Sequence, residues 1–208
     1  MYVPPAFAEK RVEVLAAMMR AAPLANLVVW TGRGFEASPL PVLYDPEPAP
    51  FGTISGHIAR GNPLAEADGA SALAIFMGPD AYISPSFYPT KRETGRVVPT
   101  WNYITIHAEG RLHLYADPDS LLALVKKLTG HHESARAAPW AVEDAPADFI
   151  AAQLKGIVGF TLPLSRLEGK WKMSQNRPPV DRAGVVEGLA AEGCDTVAKI
   201  VAAHMPRG

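Results

Sequence analysis

Residues 101–115 form the longest regular alternation of side-chain character in the chain. Apolar or small residues occupy the even positions from Ile104 to Leu114, and polar or amphipathic residues occupy the odd positions. A period of two places each class on one face of a β-strand, which is the pattern of a half-buried antiparallel strand. Gly110 interrupts the pattern and indicates a bend or bulge, a device that curves a sheet toward a barrel. This stretch therefore favours an antiparallel sheet with one face against a core.

Shorter strands are predicted on both sides of this stretch. Gly32-Arg33-Gly34 predicts a hairpin turn between the first two of them. Pro39 and Pro41 predict that the second strand lies at an edge or a bulge, because proline donates no ladder hydrogen bond. The five shorter predicted strands are 26–31, 36–44, 52–58, 71–77 and 156–167.

Helices are predicted near the start, the middle and the end of the chain. The first follows from the apolar spacing of residues 12–19 and ends before Pro23. A later helix has Asp117 as its N-cap, Pro118 in its first turn and Gly130 just past its end. Three shorter helices are predicted at 149–154, 184–191 and 194–204. Several strands with helices around them predict an α+β fold with an antiparallel β-barrel and flanking helices.

Length and composition favour one cytoplasmic domain. A chain of 208 residues is long enough for a self-sufficient core, and a barrel of this size forms a single domain. The only cysteine is Cys194, so no intrachain disulfide is possible, which fits a reducing compartment. We find no cleavable signal at the N-terminus and no apolar run long enough to span a membrane. These features predict a cytoplasmic protein without membrane contact.

The charge balance gives no support to nucleic-acid binding. The chain has 20 Lys and Arg residues against 21 Asp and Glu residues, a formal net charge of −1. Proteins that bind mainly through DNA phosphates usually carry a basic excess. The C-terminal helices also contain few cations, which argues against a helix-turn-helix reader. A local basic patch remains compatible with these numbers.

Four sequence stretches, taken together, resemble the PaiB family of FMN-binding negative transcriptional regulators. They are Met1-Tyr2-Val3-Pro4, residues 56–63, residues 98–103 with His107 and Gly110, and residues 167–177. The resemblance implies an antiparallel Greek-key split barrel, related to pyridoxamine-phosphate-oxidase-like flavoproteins. It also implies FMN as cofactor, a homodimer with the flavin near the interface, and DNA as a partner. Residues 1–208 would then be one FMN-binding domain with a helical extension at 181–208.

The cofactor determines which residue types to look for. A phosphate dianion needs cationic and hydroxyl donors, and the isoalloxazine ring needs an aromatic slot with polar groups at its edge. The predicted phosphate ligands are Arg60, Lys91 and Thr100. The predicted ring contacts are Trp101, Asn102 and Tyr103, and the C-terminal motif adds Ser174, Gln175 and Arg177.

Each of these segments also has a second interpretation. Arg60 and Lys91 would also suit a solvated surface, and the aromatic residues would also suit core or dimer packing. The stretch 170–177 mixes cations with an aromatic residue and would also suit a nucleic-acid contact. We predict no metal site, because the adjacent His131 and His132 lack a second ligand pair at metal spacing.

Whether the chain is an enzyme is not determined by its residues. A flavin-dependent oxidoreductase acting on a small molecule is the alternative to a regulator. In such an enzyme the cofactor performs the chemistry and the protein orients it. Tyr103 and His57 are the two residues that we would test as proton donors.

Overall fold

The structure, a computed structural model, describes residues 1–205, and its backbone divides into two compact units. The first unit comprises residues 1–15, 77–106 and the chain from Glu168 onward. The second unit comprises residues 16–76 and 107–167. Both units are therefore built from stretches that are distant in sequence.

Eight strands and six α-helices make up the regular structure of the described residues. The strands are β1 (Ala8–Glu9), β2 (Leu24–Trp30), β3 (Phe35–Asp45), β4 (Thr53–Ala59), β5 (Ser71–Ile83), β6 (Thr100–Arg111), β7 (His113–Tyr115) and β8 (Ile157–Lys172). The helices are α1 (Val12–Ala21), α2 (Lys91–Thr94), α3 (Pro118–Glu133), α4 (Ala147–Leu154), α5 (Pro179–Ala191) and α6 (Asp195–Ala203).

The strands pair in an order that closes on itself. Hydrogen bonding connects them as β8-β4-β3-β2-β5-β6, and β6 pairs again with β8. The ladders between β2 and β3, β2 and β5, β3 and β4, and β4 and β8 are all antiparallel. A closed ladder has no free edge along its main strands, which is how barrels avoid unpaired backbone groups. The predicted antiparallel barrel is confirmed.

The β2–β3 hairpin forms where the glycine pair predicted it. Trp30 faces Phe35 across the ladder, and the Thr31 backbone N–H donates to the Gly34 carbonyl at 3.0 Å. Pro39 and Pro41 pair with β2, whereas the ladder to β4 begins only at Val42. The prolines therefore occupy a part of β3 that is paired on one side, where their missing N–H groups cost no ladder bond.

The alternation at 101–115 spans two strands rather than one continuous strand. Leu112 interrupts it, because its N–H donates to the Ala70 carbonyl at 2.9 Å and its carbonyl accepts from the Gly69 N–H at 2.8 Å. These bonds tie Leu112 to the loop before β5. The predicted apolar face is confirmed, since Ile104, Ile106, Ala108 and Leu112 are all buried.

The helix predictions are confirmed except at the C-terminal end of α3. The Asp117 carboxylate accepts the N-cap hydrogen bond from the Ser120 N–H at 2.9 Å. Gly130 does not end α3, because it keeps a helical conformation and its carbonyl accepts from the Ser134 N–H at 3.1 Å. The C-terminal extension contains α5 and α6, and residues 206–208 lie outside the described residues. Among the helices described, none is long and apolar enough to cross a bilayer.

Candidate functional site: a cationic cavity in the first unit

A cavity of about 110 Å³ lies in the first unit. Its walls come from the start of β6, the end of β8 with the turn that follows, and the loop before α2. Four of the nine predicted cofactor ligands line this cavity. They are Thr100, Asn102, Ser174 and Arg177, and Lys172 and Tyr88 join them.

Asn102 and Ser174 connect the two main walls of the cavity. Asn102 is fully buried, its amide donates to Ser174 Oγ at 3.1 Å, and Oγ also lies 3.2 Å from Asn102 Oδ1. Ser174 has a φ of +62°, a left-handed conformation that is uncommon for a residue with a side chain. Such conformations persist only where the surroundings enforce them. Asn102 thus supports the turn that brings Arg177 to the cavity.

Three cations of the first unit lie close together without a carboxylate partner. Lys170 Nζ and Lys172 Nζ lie 5.1 and 5.9 Å from the centroid of the Tyr103 ring. No carboxylate among the described residues lies within 4.0 Å of the Lys170, Lys172 or Arg177 nitrogens. Burial, followed by the charges of Lys170 and Arg177, lowers the pKa of Lys172. An anion would relieve this repulsion.

Lys172 is held in position by the start of β6. Its Nζ donates to Thr100 Oγ1 and, at 2.8 Å, to the Trp101 carbonyl. A lysine ammonium has three donor protons, so one remains for a ligand. The contact with Thr100 leaves that hydroxyl proton free to donate as well. Lys172 and Thr100 therefore offer one charged and one neutral hydrogen-bond donor at the cavity wall.

The Tyr88 ring forms another wall. It is 1% exposed, and the Arg177 guanidinium carbon lies 4.6 Å from its centroid, a cation–π distance. Burial raises the pKa of Tyr88, and the charge of Arg177 and a hydrogen bond from its guanidinium oppose this rise. The Tyr88 hydroxyl proton has no acceptor among the described residues.

A buried carboxylate holds the loop that carries Tyr88. Asp181 in α5 accepts from the Thr90 backbone N–H at 3.1 Å and from Thr90 Oγ1 at 2.8 Å. Asp181 is 1% exposed and Thr90 is half-buried, so both bonds are partly shielded from water. Because Thr90 is two residues from Tyr88, these bonds position the cavity wall.

The other predicted ligands of the first unit take different roles. Trp101 is 53% exposed and packs edge-on against Tyr82 at 5.9 Å. Tyr103 offers its ring to the two lysines. Gln175 stabilises the turn itself, since its amide donates to the Trp171 carbonyl at 2.6 Å and its oxygen accepts from the Met173 N–H at 2.7 Å.

Lys91 and Arg60 are not among the residues that line the cavity. Lys91 is exposed at the start of α2. Arg60 belongs to the second unit, where its Nε donates to the Lys155 carbonyl at 2.8 Å and its Nη2 to the Ile157 carbonyl at 3.1 Å. These two bonds leave Arg60 Nη1 without a partner among the described residues. The phosphate roles of Lys91 and Arg60 stay predictions.

Lys172 and Tyr88 were not selected as ligands from the sequence. A signal for Lys172 was present, because Lys170 and Lys172 are two residues apart and therefore share a face of any strand. The predicted strand stopped at residue 167, and β8 continues to Lys172. No comparable local signal distinguishes Tyr88 from the other aromatic residues of its loop.

Comparison with known proteins agrees with this site chemistry. Residues 1–166 match the model of a family described as "Putative FMN-binding domain". An uncharacterized protein of Emericella nidulans is 32% identical over 232 aligned residues, which cover 94% of this chain and 92% of that protein. The Protease synthase and sporulation protein PAI 2 of Bacillus subtilis is 36% identical over 141 residues, covering 67% of this chain and 65% of that protein. The predicted resemblance to PaiB is confirmed.

The fold is shared with flavoproteins of known structure. The FAD and heme binding protein from Mycobacterium smegmatis matches with a TM-score of 0.59 and 16% identity, covering 79% of this chain and 73% of that chain. Identity at this level shows the fold alone, and the predicted split barrel is confirmed. Because the family model matches 166 of the 208 residues, the chain belongs to the family described as a putative FMN-binding domain.

Proposed function

We propose that this protein binds FMN with its terminal phosphate in the cationic cavity. Family and fold both support FMN or another flavin as the cofactor. The observation that carries the proposal is the placement of Lys172 and Arg177, two unpaired cations, beside the Thr100 and Ser174 hydroxyls. Charged donors and hydroxyls are the groups that bind a phosphate dianion. When bound, the flavin supplies hydride or electron chemistry, and the chain holds and orients it.

The cavity volume suits one end of the cofactor rather than all of it. Sites that enclose a whole drug-sized ligand measure roughly 300–1,000 Å³. A cavity of about 110 Å³ holds a phosphate group, and the isoalloxazine ring must then lie outside it. Trp101 and Tyr103 lie near the start of β6 and offer aromatic surface for the ring. We keep residues 1–208 as one FMN-binding domain, because stretches of the two units alternate along the chain.

We further propose that a second copy of the chain covers the ring. The first unit exposes several large apolar side chains: Met77, Tyr82, Val98 and Trp101. Groups of exposed apolar residues on a folded protein commonly mark association sites. Light scattering after size exclusion, at several protein concentrations, tests the homodimer. A monomer at every concentration, with FMN present, would contradict it.

The test of FMN binding uses the purified protein and two flavins. We expect the fluorescence of FMN to be quenched in a saturable titration with the protein. Riboflavin, which lacks the phosphate, should bind at least tenfold more weakly. A charge-assisted hydrogen bond contributes about 1.5–3 kcal/mol, and about 1.4 kcal/mol is a factor of ten. Equal affinities for both flavins would remove the phosphate from the proposal. No binding of either flavin would overturn it.

The affinity for FMN is expected to fall as pH rises through the pKa of Lys172. Only the protonated ammonium of Lys172 attracts the phosphate, and its pKa is held below that of an ordinary lysine by burial and then by Lys170 and Arg177. The loss should therefore begin at a lower pH than for an exposed lysine. In Lys172→Arg the decline should disappear, because a guanidinium stays protonated. Matching pH profiles of the two proteins would contradict a role for Lys172.

We rank a regulatory role above catalysis for this flavin protein. The resemblance to PaiB-type negative regulators supports regulation, with DNA as the partner. Burial lowers the pKa of His57, so this imidazole stays neutral near pH 7 and is a poor proton donor. Bound flavin that NAD(P)H does not reduce would agree with regulation, and rapid reduction would favour the oxidoreductase. A mobility-shift assay at low and physiological salt tests direct DNA binding.

A further inference from the structure

We propose that Tyr88 is a specificity-determining residue of this cavity. Its hydroxyl donates to an oxygen of a terminal phosphate, and its ring closes the cavity against a diphosphate chain. The site would then accept FMN and reject FAD. This inference rests on the proposed function and adds a residue and a selectivity to it.

The first observation is that the Tyr88 hydroxyl proton lacks an acceptor. The group is buried and the Arg177 guanidinium beside it can only donate, so no acceptor for this proton is found among the described residues. A buried polar group without a partner costs about 1–3 kcal/mol, so native structures rarely keep one without a reason. Tyr88 lines the cationic cavity, and an anion in that cavity supplies the missing acceptor.

The second observation is the position of Arg177. Its guanidinium lies over the Tyr88 ring, and Arg177 is only partly buried at the edge of the cavity. A long side chain in this position shields the hydroxyl in the absence of a ligand. For the Tyr88 hydroxyl to reach a phosphate in the cavity, Arg177 must turn from the ring toward the phosphate oxygens. The two residues then bind the phosphate together.

The third observation is the rigidity of this wall. Asp181 holds Thr90 through two partly buried hydrogen bonds. On the other side of Tyr88, Phe87 packs against Gly184 and Gly188 of α5, where an added Cβ would collide with it. The Tyr88 wall therefore has little room to move outward.

A rigid wall gives the cavity a size limit. A volume of about 110 Å³ accommodates one phosphate group. The phosphate of FMN is terminal, so the chain of the ligand needs only one exit from the cavity. In FAD the same phosphate continues into a second phosphate and an adenosine, which need a second exit. Tyr88 fills one wall of a cavity that has room for a single phosphate, so this wall would have to yield for a second phosphate to fit beside it.

The experiment compares Tyr88→Phe with the unchanged protein. We expect FMN to bind about tenfold more weakly to the variant and riboflavin to bind with unchanged affinity. The melting temperature of the ligand-free variant should stay equal or rise, because a buried hydroxyl whose proton has no acceptor is removed. A purely structural role would lower the melting temperature instead. The matched control is Tyr115→Phe in the second unit, which should leave both affinities unchanged.

A second variant tests the size limit. In Tyr88→Ala the wall is opened, and the ratio of FAD affinity to FMN affinity should rise at least tenfold over the unchanged protein. Unchanged FMN affinity in Tyr88→Phe, or equal affinity of the unchanged protein for FAD and FMN, would overturn the inference and leave the proposed function standing. A thermal-shift measurement with inorganic phosphate tests the Tyr88 contact independently of the flavin. If FMN fails to bind but phosphate stabilises the protein and not Tyr88→Phe, the contact between Tyr88 and phosphate stands, whereas the flavin selectivity and the proposed function fall.

Discussion

Replacing Lys172 and Arg177 together by glutamine is expected to weaken FMN binding at least 100-fold. Each cation supplies a charge-assisted hydrogen bond that contributes about 1.5–3 kcal/mol to phosphate binding. Two of them correspond to a factor of about 100 or more, at about 1.4 kcal/mol per factor of ten. Fluorescence titration at fixed ionic strength measures the change. Riboflavin binding should change far less, because riboflavin lacks the phosphate that these cations are proposed to bind.

The matched control removes two positive charges at positions outside the cavity. Arg33 lies in the β2–β3 hairpin and Lys199 in α6, and both are exposed. Arg33→Gln with Lys199→Gln removes two positive charges without touching the cavity. This control should leave FMN affinity within a factor of two to three. A similar loss in both double variants would show that long-range charge, and not the cavity, attracts the phosphate.

Replacing Gly184 by alanine is expected to destabilise the protein, which is the reverse of the usual effect in a helix. Glycine inside a helix normally costs about 0.5–1 kcal/mol relative to alanine. At Gly184 an added Cβ would press on the Phe87 carbonyl oxygen and lie 2.9 Å from Pro89 Cδ. Overpacking of this kind costs about 1–3 kcal/mol. Calorimetry should show a melting temperature lower by about 4–8 °C for a net loss near 2 kcal/mol.

Gly130→Ala is the control for this prediction. Gly130 also lies inside a helix, α3, but an added Cβ there has no neighbouring atom within 4 Å. It should raise stability by up to about 1 kcal/mol, so the two alanine variants should differ in sign. Gly184→Ala should also weaken FMN binding, because Phe87 precedes Tyr88 in the cavity wall. A rise in melting temperature for both variants would show that α5 is free to move away from the loop.

Several elements were predictable from local sequence because their signals are local. The period of two at 101–115 and the glycine pair at 32–34 depend on side chains a few residues apart. The N-cap at Asp117 likewise involves residues within one turn. Failures came where a distant residue intervened: Ala70 pairs with Leu112 and breaks the long strand. Gly130 has helical neighbours on both sides, and no local signal separates it from a helix end.

The candidate site was predictable as a set of residue types and only partly as a place. Thr100, Asn102, Ser174 and Arg177 were named from motifs that chemistry and resemblance singled out, and they line one cavity. Lys172 and Tyr88 entered only with the tertiary structure. Arg60 was chosen because a guanidinium suits a phosphate. Its bonds to the Lys155 and Ile157 carbonyls depend on residues about a hundred positions away.

The sequence by itself determined the strand and helix types, the barrel class and the donor chemistry, because periodicity, caps and functional groups are properties of neighbouring residues. The tertiary structure alone decided which cations lack a carboxylate partner, since that depends on every acidic side chain of the fold. It also decided that Tyr88 is buried with no acceptor for its hydroxyl proton and that Asp181 holds its loop. Burial and pairing arise when distant segments pack, and no local pattern encodes them.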